Sequence, residues 1–439
     1  MIFSRQDSVP RLAGWIAAAL IAATLAAGLY FLLVVRPAPP RSIAMATGAP
    51  GSAYEAFGER YRDVLARHGV ELRLVPSAGS VDNLRLLDDP SSGISVAMVQ
   101  GGVADAKAAE GLLSLGTMFY EPVWIFVRGP LPADSPHALR GKRLFLGQVG
   151  SGSRKLGLDL MAAVGFDPGI MRIVDMPTKD VPAAMRRGGI DVAILVAPWE
   201  SAQVHELLTA DGVTAASFPR ADAHVALRPF LSKLVVPQGV ADLKTNRPPR
   251  DLVLVASKAN LVVRGDLHPA LQYLLLEAAA QVHSAPGIFQ KAGQFPAAEP
   301  IGFALSDEAR QYYRTGPPFL MRYMPFWMAV LVGRLLVVLI PVLGVLLPLV
   351  RLTPSLYGWY VRRRIFLLYG ELKFLEREME SPSGTADTAA LLARLDRLES
   401  RANHLRVPTM FSHFLYTLRV HINLVRGRLQ QHGRQAASP

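Results

Sequence analysis

Short apolar strands that run into glycine- and serine-rich turns, each opening a helix, recur through the middle of the chain. This repeat limits the fold more than any other feature. Its clearest instance is KRLFLGQVGSGSRKLGLDL at residues 142–160. Leu144, Phe145 and Leu146 read as a buried strand, Gly147, Gly150 and Gly152 break it, and Ser153 reads as the N-cap of the next helix. Such a turn aims unpaired backbone N–H groups and the positive end of a helix dipole at one point, which suits an anion. Arg154 and Lys155 fall in that first helical turn, against the dipole, so they either meet a negative group or point at water. The stretch is not a P-loop, since no Gly-Lys-Ser/Thr follows. Nor is it Gly-x-Gly-x-x-Gly, since Lys155 takes the last glycine's place.

The same unit opens the region. A strand at 42–46 meets Thr47-Gly48-Ala49-Pro50-Gly51-Ser52-Ala53-Tyr54, then a serine-capped helix to about His68. A strand at 71–75 leads to Ser77-Ala78-Gly79-Ser80-Val81-Asp82-Asn83-Leu84 and a short helix. A third strand, 94–99, ends in Gln100-Gly101-Gly102. Residues 112–119 run through Tyr120-Glu121-Pro122 into an apolar strand at 123–127. Beyond the 142–160 stretch come a strand at 172–174, a helix at 179–187, a strand at 191–196 and a helix from Glu200. This alternation predicts an α/β fold with a parallel sheet, helices on both faces, and ligands at the carboxyl ends of the strands. The extended segments 122–128 and 251–263 join two such runs. They predict two lobes with crossing strands, lobe 1 at about 42–122 and 264–325 and lobe 2 at about 129–250, with a cleft that closes on a small ligand.

Two runs are long enough to cross a bilayer. Residues 12–35 are uncharged and almost wholly apolar, about 36 Å as a helix. That exceeds a signal-peptide core of about 7–15 residues, so the run reads as an uncleaved anchor, with cleavage near Ala26-Ala27-Gly28 as the alternative. Residues 326–350 form the second run, interrupted by Arg334, Pro341 and Pro348, with Arg334 read as snorkelling to the near end. Tyr323, Trp327, Tyr357, Trp359 and Tyr360 read as interfacial aromatics. Residues 351–439 carry 14 Lys/Arg against 7 Asp/Glu, and Arg351 and Arg362-Arg363-Arg364 lie close behind the second run. The positive-inside rule then puts residues 1–11 and the 351–439 tail in the cytoplasm, and the proline-rich linker 36–41 and the 42–325 domain outside. The net charge of +12 is concentrated in that tail, which fits membrane lipids rather than a nucleic-acid stripe.

Four turns, in order and spacing, carry a family resemblance. They are Thr47-Gly48 through Gly51-Ser52-Ala53-Tyr54, Ser80-Val81-Asp82-Asn83-Leu84, Tyr120-Glu121-Pro122, and Gly150-Ser151-Gly152-Ser153. With them, residues 42 to about 322 resemble the solute-binding subunits of TRAP transporters, specifically the TAXI type. The resemblance implies a two-lobed, type II periplasmic-binding-protein fold that takes a small organic anion, a carboxylate or an amino acid. It implies contacts from Gly51, Ser52 and Tyr54, hydrogen bonds from Ser80, Asn83 and Gln100, closure by Ser151, Gly152 and Ser153, and packing by Tyr120. It implies a bacterial inner-membrane location with the binding domain facing the periplasm, and TRAP permease subunits as partners. Two departures stand out. Gly101-Gly102 take a place where members commonly have an acidic residue, and a typical member has no second span and no long tail. The alternative reading is therefore a transmembrane solute sensor whose helical tail meets a cytoplasmic partner.

The tail reads as three helices, at 364–380, 389–406 and 411–429, with breaks at Ser381-Pro382-Ser383-Gly384 and Val407-Pro408. No enzyme, cofactor or metal centre is expected. The chain has no cysteine, no His-Glu-x-x-His and no serine elbow. His205, His224, His268 and His283 are scattered, and Asp175, Asp180 and Asp191 are explained by capping and turns.

Overall fold

The computed structural model describes residues 18, 21–31, 38–104, 110–129, 140–165, 169, 172–299, 301–380, 388–405, 407 and 409–436. The expected N-terminal segment 1–11, parts of the 12–35 run, the start of the 36–41 linker and the break at 381–384 lie outside them. The described chain divides into two compact units, Ala38–Gly333 and the segments that flank it.

Ala38–Gly333 is built on one mixed sheet. Its strands are β1 (Ser42–Ala46), β2 (Glu71–Val75), β3 (Val96–Gln100), β4 (Leu112–Arg128), β5 (Arg143–Phe145), β6 (Arg172–Ile173), β7 (Val192–Val196), β8 (Val213–Ala216), β9 (Ser232–Val236) and β10 (Leu252–Arg264). They lie in the order β2-β1-β3-β10-β4-β7-β5-β6, with β8 on β4 and β9 on β10. The outer strands are parallel: β1 pairs β2 and β3, and β5 pairs β6 and β7. The two long strands β4 and β10 are antiparallel to each other and to their other neighbours, and carry the chain between the two halves of the sheet. The expected pair of segments at 112–119 and 123–127 is thus one 17-residue strand. Pro122 does not end it, because it sits where β4 changes partner: Pro122 faces Ala256 of β10 and Val123 faces Val196 of β7. A proline is tolerated in a strand where no ladder N–H is required of it.

The helices follow the turns. In one half, α1 (Ala53–Arg67) packs with the later helix Pro269–His283 on one sheet face through Tyr61, Leu65, Leu271 and Leu275. There α2 (Ser80–Asp88) covers the other face with Leu84 and Leu87. In the other half, α3 (Gly152–Ala163) buries Leu156 and Leu160. On the opposite face α4 (Val181–Arg186) and α5 (Ala202–Thr209) pack Met185, Val204 and Leu207 beside Trp124 and Phe126. Each such side chain contributes about 1.5–3 kcal/mol through removal from water.

The expected 326–350 run begins one helix, Phe326–Met379, that continues through Pro341, Pro348 and Pro354. Among the described residues, Phe326–Gly344 is the one helical stretch long and apolar enough to cross a membrane, and within the 12–35 run Ile21–Tyr30 is a shorter apolar helix. Trp327, at the start of this helix, is also tied to the sheet-bearing unit. Its Nε1 donates to the His68 carbonyl at 2.8 Å, Arg41 lies over its ring, and Phe326 is buried in the core shared by α1. Farther along, the end of this helix, Thr388–Asn403 and Ser412–Ala436 share a leucine-rich cluster of their own, including Leu372, Leu395, Leu418 and Ile422.

Candidate functional site

The turns that repeat in the sequence meet at one cavity of about 110 Å³ in Ala38–Gly333. That is below the about 300–1,000 Å³ of drug-sized sites, so it suits a guest of few atoms. The starts of α1 (Ser52, Ala53, Tyr54), α2 (Gly79, Ser80), α3 (Ser151, Gly152, Ser153) and α5 (Ser201, Gln203) all line it, with Thr178 and Lys179 of a short 3-10 turn. The first N–H groups of each helix have no intrahelical acceptor and carry the positive end of the dipole. Lys179 is the one basic side chain in the lining, and Glu121 the one acidic.

The serines act mainly as caps that fix these backbones. Ser52 Oγ accepts from Glu55 N at 3.3 Å while Gly51 N donates back to the Glu55 carboxylate at 2.6 Å, a close relative of the capping box. The cap of α3 is Ser151, not Ser153 as the spacing predicts. Ser151 Oγ accepts from Arg154 N at 3.1 Å and donates to the Gln148 carbonyl at 2.7 Å. The turn closes two residues earlier because Ser151 keeps an extended backbone and Gly152 already adopts the helix. Ser153, one turn position on, donates to the Val196 carbonyl at 3.2 Å and ties the helix start to β7. Arg154 and Lys155 point away from the cavity, to Asp175 and Asp159 respectively.

At the floor, Tyr54 OH donates to Glu121 Oε2 at 3.0 Å and lies 3.3 Å from Ser80 Oγ, which accepts from Gln100 N at 3.0 Å. Glu121 is 4% exposed, and burial pushes its carboxyl up to about 8, against the pull of the Tyr54 hydrogen bond. Burial likewise raises the Tyr54 phenol well above its ordinary range. Gln100 is equally buried, and its Nε2 has no partner among the described residues.

Of the expected contacts, Gly51, Ser52, Tyr54, Ser80, Gln100, Ser151, Gly152 and Ser153 line the cavity, whereas Asn83 and Tyr120 do not. Asn83 Nδ2 donates to the carbonyls of Thr47 and Met98, and its Oδ1 accepts from Ser77 Oγ, so its amide is spent on tying the strand ends to the turn. Tyr120 lies on the opposite face of β4 from Glu121, against Phe295, with its hydroxyl accepting from Gln294 and Lys258 over its ring. Glu121 was not singled out from sequence. A charged residue within the otherwise uncharged 112–127 run is the signal that points to it, because a carboxylate is rarely buried without a task.

The two halves touch across the cavity mouth. Asp82 N donates to the Gly150 carbonyl at 3.2 Å, and a Cβ on Gly79 would stand 3.1 Å from Ser151 Cα. Gly102 explains the missing acidic residue after Gln100: at φ +84° it lies under the Phe230 ring, where a Cβ would come within 2.4 Å.

Comparison with known proteins gives the following. The chain is similar to a solved structure of the periplasmic aliphatic sulphonate binding protein SsuA from Escherichia coli, at 16% identity and TM-score 0.35, over 56% of this chain and 73% of that one. It is similar to the alkanesulfonate-binding protein SsuA from Xanthomonas axonopodis pv. citri bound to MOPS, at 16% identity and TM-score 0.35, over 56% and 74%. It is also similar to the ligand binding component of an ABC-type import system from Staphylococcus aureus with zinc bound, at 12% identity and TM-score 0.37, over 64% and 94%. The model of the NMT1-like family matches residues 45–314, which hold both halves of the sheet and every residue lining the cavity. With more than half of its length so matched, the chain belongs to the NMT1-like family.

Proposed function

We propose that this protein is a membrane-tethered solute receptor that captures a small organic anion, a carboxylate or an amino acid, for TRAP-type transport. One observation carries the reading. Four helix N-termini and the unpartnered Gln100 amide converge on one small cavity that holds a single basic side chain. Backbone dipoles and N–H groups supply positive potential there without the reach of arginines, which favours a compact anion over a long one. The resemblance to the TAXI type supports the transport role and the contact set Gly51, Ser52, Tyr54, Ser80, Gln100, Ser151, Gly152 and Ser153. The apolar stretch Phe326–Gly344 supports tethering, with the 42–325 domain in the periplasm of an inner membrane and both termini in the cytoplasm.

Calorimetry of the full chain in detergent, against a panel of carboxylates and amino acids, is expected to give one anion bound per chain. A folded protein that binds none of them defeats the proposal. A second reading draws on the separate leucine-rich core of the C-terminal helices, which is more than a simple anchor requires. In it the protein is a sensor whose tail recruits a cytoplasmic partner. Removing residues 365–439 separates the two: uptake survives in a transport receptor, while partner recruitment vanishes in a sensor.

A further inference from the structure

We propose that Glu121 enters the ligand complex as a neutral carboxylic acid and, with the Gln100 amide, forms a two-donor floor for the oxygens of a carboxylate, so that capture is tied to keeping a proton on Glu121. The proposal deepens the anion reading of the same cavity and rests on it. Both side chains line the cavity and are almost fully buried, and a chain of contacts runs from the Gln100 backbone to the Glu121 carboxyl. Gln100 N reaches Ser80 Oγ, Ser80 Oγ lies beside Tyr54 OH, and Tyr54 OH donates to Glu121 Oε2. The Gln100 Nε2 has no acceptor among the described residues, so a buried donor is left for an oxygen that they do not supply.

The surroundings of Glu121 decide its charge. From α1 the titratable group facing it is Tyr54, a phenol that burial keeps neutral. From β10 its cross-strand neighbour is Ser257, and the adjacent Lys258 is turned to Glu299 and the Tyr120 ring. From α2 and β3 come Ser80 and Gln100, both uncharged. Across the cavity, Lys179 is an exposed side chain of the opposite wall. An ionised Glu121 would therefore share this lining with a negative guest while Lys179 alone carries positive side-chain charge there, in a setting where like charges repel strongly. The upward displacement of its carboxyl to about 8 agrees with a group held neutral at ordinary pH. Protonated, the acid offers an O–H donor in the same lining as the Gln100 side chain, and a planar carboxylate can accept from two such donors.

The sign follows from linkage. The acid is already neutral well below pH 8, so affinity is flat there; above it the guest must hold a proton on Glu121, and affinity falls by up to about tenfold per pH unit. The test is calorimetry on the full chain with acetate, lactate, succinate and 2-oxoglutarate, all fully ionised between about pH 6.5 and 9.5. Titrations are repeated in two buffers of different ionisation enthalpy. For a probe that binds, the expected dissociation constant is level to about pH 7.5 and weakens several-fold to tenfold by pH 9, with roughly half a proton taken up per ligand near pH 8. Glu121→Gln, which keeps a donor but cannot ionise, is expected to bind with a level pH profile and no proton uptake. A level profile in the unsubstituted protein overturns the proposal, as does a pH dependence that persists in Glu121→Gln or a complete loss of binding in that variant. Absence of binding by every probe at every pH removes the anion reading itself, and this inference with it.

Discussion

Gln100 and His283 each bury a nitrogen that finds no partner, and the difference between them separates function from packing. His283 stacks on Phe119 and lies within 5.7 Å of the rings of Phe57 and Tyr61, where burial and the charge of Arg60 both disfavour its charged form. Burial holds it neutral, down to about 3. Its folded value lies below its unfolded one, so the associated stability is complete above about pH 6.5 and is lost as pH falls toward 3, on the order of 3 kcal/mol by pH 4. Thermal melts from neutral to acid pH are expected to show a steeper acid limb in the unsubstituted protein than in His283→Gln. Gln100 is the opposite case, because its side chain lines a cavity. Gln100→Leu is expected to raise the melting temperature of the unliganded protein, by about 1 kcal/mol of stability, while weakening anion binding tenfold or more. If both fall together, Gln100 is a packing residue.

At the scale of elements, the strand–turn–helix units were legible because apolar runs, glycines and capping serines sit next to one another in the chain. β1 and β2 fall where their patterns place them, and the other strands of these units within two residues. What could not be read locally depends on neighbours far away in sequence. Whether Tyr120 or Glu121 faces the cavity is set by the register of β4 on β10. The fate of the Asn83 amide is set by the carbonyls of Thr47 and Met98. β8 and β9 passed unnoticed because four or five residues of mixed polarity become a strand only through pairing with β4 and β10. The cap of α3 makes a direct test: Ser151→Ala is expected to cost about 0.5–2 kcal/mol of stability in denaturant titrations. Gly79 tests the mouth of the cavity. It sits at φ +124° against Ser151, so Gly79→Ala both strains the turn and holds the two halves apart. Its expected signature is anion affinity weakened at least tenfold, with a larger radius of gyration in the presence of ligand.

At the scale of the molecule, the absence of cysteine makes the proposed topology measurable. A single cysteine at Leu243, a highly exposed position of the 42–325 domain, is expected to react with a membrane-impermeant maleimide in intact cells. A cysteine at the exposed Ser412 of the tail is expected to react only after the inner membrane is permeabilised. Equal labelling of both sites before permeabilisation would overturn the orientation. The construction of the cavity has a longer reach. Its polarity is delivered by peptide dipoles rather than by any one side chain. An exchange at Ser201, whose side chain caps no backbone N–H, re-contours the wall and leaves that polarity in place. Descendants of such a receptor would drift from one negative guest to another long before they came to accept a positive one.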